Sequence, residues 1–281
     1  MSLWPPPYVA VMDPEPPFEH VVCGIDGSRS AHEAARQAAA LVAPGGLLEL
    51  IAVAGEWGVG LNAAAVLSRP HARRALDDVA HELRRCGAHV QTRIASGRPA
   101  HEVLLREAGL CDLLVIGRHS RSRFGGITLG STAANLAHRS HVPLLLAVAP
   151  PNGVAFPDRI LVAADGPGHP ERAVRMAGQI ATATGGEITL LRLDWSRRAK
   201  RRELAEAVAD LKGLGAEPVE IVMGGQPRRR IPEFAEQEHA SLVVVGSRGL
   251  NGARALSSVS ERVAHEAPCS VLIARPSEAE R

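Results

Sequence analysis

Short apolar runs and longer segments with helical spacing alternate along most of the chain. The apolar runs span residues 20–26, 47–54, 90–94, 113–116, 143–148, 160–164, 187–193, 218–222, 241–245 and 270–274. The first helical segment opens with a capping box at Ser30–Glu33 and ends before Pro44. The other helical segments span residues 71–86, 101–108, 132–138, 170–184, 199–213, 229–238 and 258–266. Strands that alternate with helices pair in parallel through right-handed crossovers, so the pattern predicts an α/β fold of two tandem, doubly wound, five-stranded sheets.

The second half of the chain repeats the first. An apolar run ending in Asp-Gly occurs at 20–27 and at 160–166, and a run ending in glycine occurs at 113–117 and at 242–246. The repeat is as long as a domain, whereas solenoid units are only ~20–50 residues long. We therefore interpret the chain as a proline-rich lead 1–17, a first domain 18–149, a linker 150–157, a second domain 158–276 and a tail 277–281.

Each half closes with an apolar edge strand, at Leu144–Val148 and at Val271–Ala274. An uncovered apolar edge strand promotes aggregation. We therefore expect these two strands to pair with each other within one chain, across a pseudo-two-fold axis. A homodimer of the whole chain would then use other surfaces.

Composition restricts the classes of function. Hydrophobic residues make up 46% of the 281 residues and aromatic residues only 3%, which predicts two aliphatic cores. The net charge of +2 is too small for a protein that binds nucleic acid through bulk charge. No apolar run approaches the ~18 residues of a membrane span, and the amino terminus lacks a signal-peptide pattern, so we expect a cytoplasmic protein without nucleic-acid or membrane partners. Cys23, Cys111 and Cys269 lie in or beside apolar runs and are interpreted as reduced core residues.

The candidate chemistry lies where strands end. In an open α/β sheet, ligands bind beyond the carboxyl ends of the strands, at the point where the winding reverses. The first strand ends at Asp26, and the fourth ends at Gly117, before a loop that leads to Gly130, Ser131 and Thr132 at a helix start. Glycines let backbone N–H groups approach an anion, and a helix start adds unpaired donors and a positive dipole end. This loop therefore predicts a phosphate site.

Each part of this site also has an ordinary structural explanation. Asp26 with the two residues after it makes a good turn and helix cap, and Ser131 is a common type of N-cap. The loop carries three arginines that either add positive charge to the site or are simply solvated: Arg118, Arg121 and Arg123. The functional interpretation is favoured because Asp165 and the segment 246–249 return at the same places in the second half.

The loop spacing resembles that of a known family. Gly117-x-x-Ser120, followed after nine residues by Gly130-Ser131, resembles the nucleotide loop of the universal stress protein family, usually G-x-x-G, nine residues, then G-S or G-T. The strand-end Asp-Gly pairs fit as well, as do two Gly-x-Pro turns and two closing prolines: Gly97, Gly225, Pro143 and Pro268. The resemblance covers roughly residues 18–276 and identifies the chain as a tandem member with a Rossmann-like fold.

The resemblance implies that ATP binds, with or without magnesium, and it implies where. Asp26 and Val53 would lie by the adenosine. The ribose and phosphates would be held by residues of the loop and of the helix start: Gly117, Ser120, Gly130, Ser131 and Thr132. Ser120 stands where the family has its second glycine. Its Cβ either crowds the phosphates or its hydroxyl donates to them, and we expect the site to accept a nucleotide with serine at this position.

The second half matches the family pattern less well. Gly246-x-x-Gly249 is intact, but only seven residues separate it from Ser257-Ser258. The loop is thus two residues short, and a serine stands where a glycine is expected. Together with Asp165 these residues form a weaker second site, which resembles that of family members lacking ATP binding.

Other motifs add little chemistry. There is no Walker A lysine loop and no G-x-G-x-x-G, and His138 and His141 lack a third metal ligand, so we assign no catalytic residue and no metal site. The basic runs 197–202 and 228–230 are interpreted as solvated helix starts, with a partner-binding patch as the alternative. We interpret the chain as an ATP-binding regulator of a stress response. The alternatives are a slow ATPase or phosphotransferase, with His119 as the only candidate base near the loop, and a nucleotide-free interaction scaffold.

Overall fold

The computed structural model describes residues 18–55, 67–118, 129–150, 153–163, 170–193, 200–247 and 258–275. Strands and helices alternate in both halves. The first half comprises β1 (Phe18–Gly24), α1 (Arg29–Leu41), β2 (Val42–Ala54), α2 (Arg69–Arg85), β3 (Val90–Ser96), α3 (Ala100–Glu107), β4 (Leu113–Gly117), α4 (Ser131–Arg139) and β5 (Leu144–Ala147). The second half comprises β6 (Arg159–Ala163), α5 (Pro170–Thr184), β7 (Glu187–Leu193), α6 (Lys200–Gly213), β8 (Val219–Met223), α7 (Pro227–Gln237), β9 (Leu242–Gly246), α8 (Ser258–Glu266) and β10 (Ser270–Ala274).

All ten strands lie in one sheet, in the order β3-β2-β1-β4-β5-β10-β9-β6-β7-β8. Pairing is parallel within each half, and β5 pairs antiparallel with β10, with Leu145 opposite Leu272. The winding reverses between β1 and β4 in the first half, and between β6 and β9 in the second. The doubly wound α/β fold is confirmed, and the two closing strands pair with each other as the sequence analysis expects.

Helices cover the sheet on both faces, which explains the continuous apolar runs of the strands. On one face, Val21 and Cys23 of β1 pack in a cluster with residues of α1, α2, α5 and α6. On the other face, Val22 packs in a cluster with residues of α3, α4, α7 and α8. No helix in the described part of the chain is long and apolar enough to cross a membrane.

A polar contact ties α1 to the junction of the two closing strands. Gln37, only 1% exposed, donates from Nε2 to the carbonyl of Val148 at 2.8 Å. Ser270 of β10 donates its hydroxyl to Gln37 Oε1 at 2.7 Å and accepts from the Val148 N–H at 3.0 Å. A lone glutamine within an alanine-rich apolar helix face is thus explained by its position at the boundary between the halves.

Several predicted boundaries differ from the structure. β1 ends at Gly24 and not at Asp26, so Asp26 lies in the turn after the strand. The N-cap of α1 is Ser28, whose Oγ accepts from the Ala31 N–H at 3.1 Å, so Ser30 lies inside the helix and forms no capping box. β2 begins five residues earlier than predicted, because it continues past an irregularity in which Phe18 pairs with Val42 and His20 with Leu47.

Candidate functional site

The described candidate residues of the first half lie at the carboxyl edge of the sheet. Cys23 pairs with Val115, and Gly24 with Ile51. If this register is continued by two residues, Gly117 lies level with Ile25 and Val53 lies level with Asp26, just after the end of β1. The edge of β1, β2 and β4 is therefore the point where the winding reverses, as a ligand site in this fold requires.

Asp26 shapes the turn between β1 and α1. The residue is half-buried, and its Oδ1 accepts from the Ser28 N–H at 2.9 Å. An ionised carboxylate offers about four acceptor positions, so this turn occupies only part of its capacity. The Asp26 carboxylate, together with burial as the larger cause, raises the pKa of the neighbouring Cys23 thiol. Asp26 therefore forms the predicted turn contact, and acceptor positions of its carboxylate remain for a ligand.

Val53 is buried, at 7% exposure, on the face of the sheet covered by α3 and α4. It pairs with Ala95 of β3, one residue before the end of β2. Its side chain is part of the core, so a ligand at this edge would meet its backbone and the chain that follows.

Helix α4 begins without a side-chain cap. Its N-cap is Gly130, with φ −61° and ψ 152°, and glycine offers no side-chain acceptor to the N–H groups of the first turn. Helix α1, which starts at the same edge, is capped by the Ser28 hydroxyl. Ser131 is exposed and Thr132 is half-buried, which adds hydroxyl groups to this helix start. Of the two helices, α4 is therefore the one that presents donors to an anion.

The loop between β4 and α4 is closed at its base. The Gly130 N–H donates to the Arg118 carbonyl at 3.0 Å, and the Arg118 N–H donates to the Ala147 carbonyl at 3.0 Å. The tip of this loop, which includes Ser120, Arg121 and Arg123, lies outside the described residues, and the roles of those residues stay predictions.

Gly117 is required by packing. A Cβ on Gly117 would lie 2.8 Å from the carbonyl carbon and from the Cβ of Ser30, because α1 crosses the end of β4 at this point. The hydroxyl of Ser30 is buried against this contact and has no hydrogen-bond partner among the described residues. Close approach of helix and strand therefore accounts for the glycine independently of any ligand.

The prediction that Arg118 adds charge to the phosphate site, or is solvated, is wrong. Its side chain is 1% exposed and extends into the second half of the chain. Nη1 donates to the carbonyls of Ala267 at 2.6 Å and Cys269 at 3.2 Å. Burial lowers the pKa of Arg118 to about 10, so it remains charged at neutral pH. No local sequence signal indicates this, because both acceptors are distant in the chain.

Only part of the second candidate site is described. Gly246 ends β9, and its carbonyl accepts from the Ser260 hydroxyl of α8 at 2.6 Å. Ser258 is the first residue of α8. The remaining predicted residues of this site lie outside the described residues: Asp165, Gly249 and Ser257.

The other candidates have structural roles. His138 Nε2 lies 3.7 Å from Glu261 Oε1, across the boundary between the halves, and no group of three or more possible metal ligands occurs among the described residues. Arg229 and Arg230 both form ion pairs with Glu233 on α7. The three core cysteines are buried and free as predicted, and burial raises the pKa of Cys111 and Cys269 to about 12.

A model of the universal stress protein family matches residues 17–147 and 192–275, the two halves in turn. The chain belongs to the universal stress protein family. The match covers both halves, so the chain is a tandem member. The resemblance found in the loop spacing is thereby confirmed at the level of the whole chain.

Relatives of two lengths match this family member. A universal stress protein of Mycolicibacterium smegmatis is 28% identical over 289 residues, which cover 91% of this chain and 97% of that protein. A universal stress protein of Thermus aquaticus is 36% identical over 135 residues, which cover 41% of this chain and 97% of that protein. The crystal structure of a universal stress protein from Archaeoglobus fulgidus has a TM-score of 0.74 at 20% identity, over 92% of this chain and 98% of that chain, which shows a shared fold.

Proposed function

We propose that the first half binds an adenine nucleotide, with ATP as the ligand that the family resemblance implies. The phosphates would lie at the start of α4, the ribose by Asp26 and the adenine by the end of β2 near Val53. The protein would act through nucleotide-dependent binding of partners in a stress response, and no residue is assigned to catalysis.

One observation carries this proposal. Helix α4 starts with an uncapped glycine at the point of the sheet where ligands bind, whereas α1 beside it is capped by its own serine. The donor set at α4 consists of backbone N–H groups and the hydroxyls of Ser131 and Thr132, which suits phosphate oxygens. When bound, the nucleotide supplies negative charge to the positive end of the helix dipole.

A negative charge introduced at the start of α4 should affect ATP affinity and protein stability in opposite directions. Aspartate at Ser131, which is exposed, interacts favourably with the helix dipole and should stabilise the protein by ~0.3–1 kcal/mol. The same carboxylate occupies the donors and repels a phosphate. Ser131→Asp should therefore bind ATP at least tenfold more weakly, or about 1.4 kcal/mol, while it unfolds at the same or a higher urea concentration.

The second half provides the matched control. Ser258 is the first residue of the equivalent helix α8, so Ser258→Asp should change stability in the same direction and leave ATP affinity within about twofold. Isothermal titration calorimetry should also give one ATP per chain, because the second loop is shorter.

ATP binding that is unchanged in Ser131→Asp, or lost equally in both variants, contradicts the assignment to α4. Mass spectrometry of nucleotide released from the denatured protein tests the identity of the ligand.

A further inference from the structure

The nucleotide loop of the first half begins with a residue anchored in the second half. Arg118 Nη1 donates to the carbonyls of Ala267 and Cys269, at the carboxyl end of α8 and just before β10. A cation at this position meets the negative end of the α8 dipole and carbonyls that the helix itself leaves unpaired. Since the side chain is 1% exposed, the contact is part of the packed boundary between the halves.

The second half has no such anchor at the equivalent position. There Ser247 follows Gly246, and its hydroxyl donates to the Ala274 carbonyl at 2.8 Å, within its own half. The carbonyl acceptors after the last helix of each half also differ. Val142 follows α4 as Cys269 follows α8, and its carbonyl accepts from the Ser140 hydroxyl at 2.7 Å instead of from an arginine. Among the described residues, the connection from this loop position to the opposite half therefore runs in one direction, from Arg118 to the second half.

The backbone of Arg118 fixes the base of the loop. Its carbonyl accepts from the N–H of Gly130, the N-cap of α4, and its own N–H donates to the Ala147 carbonyl of β5. A single residue thus joins four elements: the end of β4, the end of β5, the start of α4 and, through its side chain, the end of α8. A shift of α8 relative to β4 would move the residue that closes the loop.

We propose that Arg118 is a positioning residue through which the second half fixes the base of the β4–α4 loop, and with it the start of α4, in the first half. The inference rests on the proposed function and names how that site is regulated. Nucleotide affinity in the first half is coupled to the contact of Arg118 with the carboxyl end of α8, and by linkage a bound nucleotide strengthens that contact by the same factor. A partner that loosens α8 would weaken nucleotide binding without touching the site.

The full-length chain with three substitutions tests this inference. Arg118→Met keeps an unbranched apolar stem and removes the guanidinium with its donors. Arg118→Lys keeps a positive charge on a single donor group, without the planar fork of arginine. Ser270→Ala is the matched control, because it removes the hydrogen bonds to Gln37 and Val148 across the same boundary and leaves the base of the loop intact.

Two measurements read the effect. Hydrogen exchange of the Gly130 amide, followed by NMR without nucleotide, reports whether the loop base stays closed. Titration with ATP reports affinity. In Arg118→Met we expect the exchange rate of the Gly130 amide and the dissociation constant for ATP each to rise at least tenfold. Arg118→Lys should give values between those of Arg118→Met and the unchanged chain. Ser270→Ala should match the unchanged chain in both measurements.

The outcomes separate this inference from the proposed function. If the unchanged chain binds ATP and Arg118→Met binds it equally well, the coupling is overturned and the proposed function stands. If Gly130 exchange is the same in Arg118→Met and the unchanged chain, the anchoring itself is overturned. If Ser270→Ala has the same effects as Arg118→Met, general loosening of the boundary is responsible and the role of Arg118 is overturned. If the unchanged chain binds no ATP, the proposed function and its coupling fall together, while the exchange data still decide the anchoring.

Discussion

At the scale of single residues, two buried arginines cross the boundary between the halves in opposite directions. Arg118 reaches carbonyls beyond α8, and Arg275, which follows β10, donates to the Ala137 carbonyl near the end of α4. Both are at most 3% exposed. A buried guanidinium is tolerated where several donors are matched by acceptors, and helix ends supply such acceptors. These hydrogen bonds therefore tie each arginine to the other half.

The sequence predicts the position of these residues along the chain but not the direction of their side chains. For Asp26 the predicted turn role concerns neighbours in sequence, and the turn contact to Ser28 is observed. For Arg118 the acceptors lie 149 and 151 residues away. Packing of the two halves determines which carbonyls face Arg118. The sequence shows only a positive charge in a glycine-bearing loop, which indicated a phosphate contact, whereas the Arg118 side chain binds carbonyls of the second half.

Substitutions at Asp26 distinguish its turn role from its proposed ligand role. Asp26→Ala removes the acceptor for the Ser28 N–H and should lower the free energy of unfolding by about 1 kcal/mol and ATP affinity by roughly 1.5–3 kcal/mol. Asp26→Asn keeps an acceptor but loses the charge, so it should keep near-normal stability and still bind ATP several-fold more weakly. Urea unfolding and calorimetry measure the two effects. Normal ATP affinity in Asp26→Ala would show that this residue only shapes the turn.

At the scale of elements, the apolar runs and helical spacing predict the order and type of strands and helices, because the central strands are buried on both faces and the helices on one. The edge strands β3 and β8 are partly exposed. Errors occur where tertiary contacts decide a boundary. β2 starts at Val42 because the chain pairs with Phe18 across an irregularity, and Gly46 allows this since a Cβ there would lie 2.7 Å from the Glu19 carbonyl oxygen. The cap of α1 is Ser28 because the Asp26 turn brings that residue, and not Ser30, to the helix start.

The contact between α1 and β4 gives a prediction about the site's framework. Gly117→Ala places a methyl group 2.8 Å from two atoms of Ser30 and should lower the free energy of unfolding by roughly 1–3 kcal/mol. Gly109→Ala is the control, since nothing lies within 4 Å of a Cβ there, and it should leave stability unchanged or slightly higher. Thermal and urea unfolding compare the two variants. Equal stability of both would show that α1 does not press on the end of β4.

At the scale of the whole molecule, the pairing of β5 with β10 makes one sheet from two halves and removes two apolar edges. The boundary combines this antiparallel pairing with the Gln37–Ser270 contact and the two crossing arginines. The contacts are not symmetric, because Ser247 replaces Arg118 and the Ser140 hydroxyl uses the Val142 carbonyl. We therefore expect each half to pair with the other half rather than with a second copy of itself.

This asymmetry predicts how separate halves behave. Residues 18–149 and 158–276, produced as two polypeptides, should each expose a closing strand and form homodimers or aggregates when alone. When mixed, they should exchange into a one-to-one complex, because only that pairing gives Arg118 the free carbonyls of Ala267 and Cys269. Analytical ultracentrifugation with one half labelled measures the exchange.

The control is the same mixture with Arg118→Met in the first half, which should form the one-to-one complex at least tenfold more weakly and leave more of each homodimer. Ser270→Ala in the second half should weaken all pairings that use β10, because its hydroxyl lies at the strand junction. A first half that stays monomeric at high concentration would mean that its edge strand needs no cover. Homodimers that persist unchanged after mixing would mean that strand pairing, and not the arginine contacts, determines which halves associate.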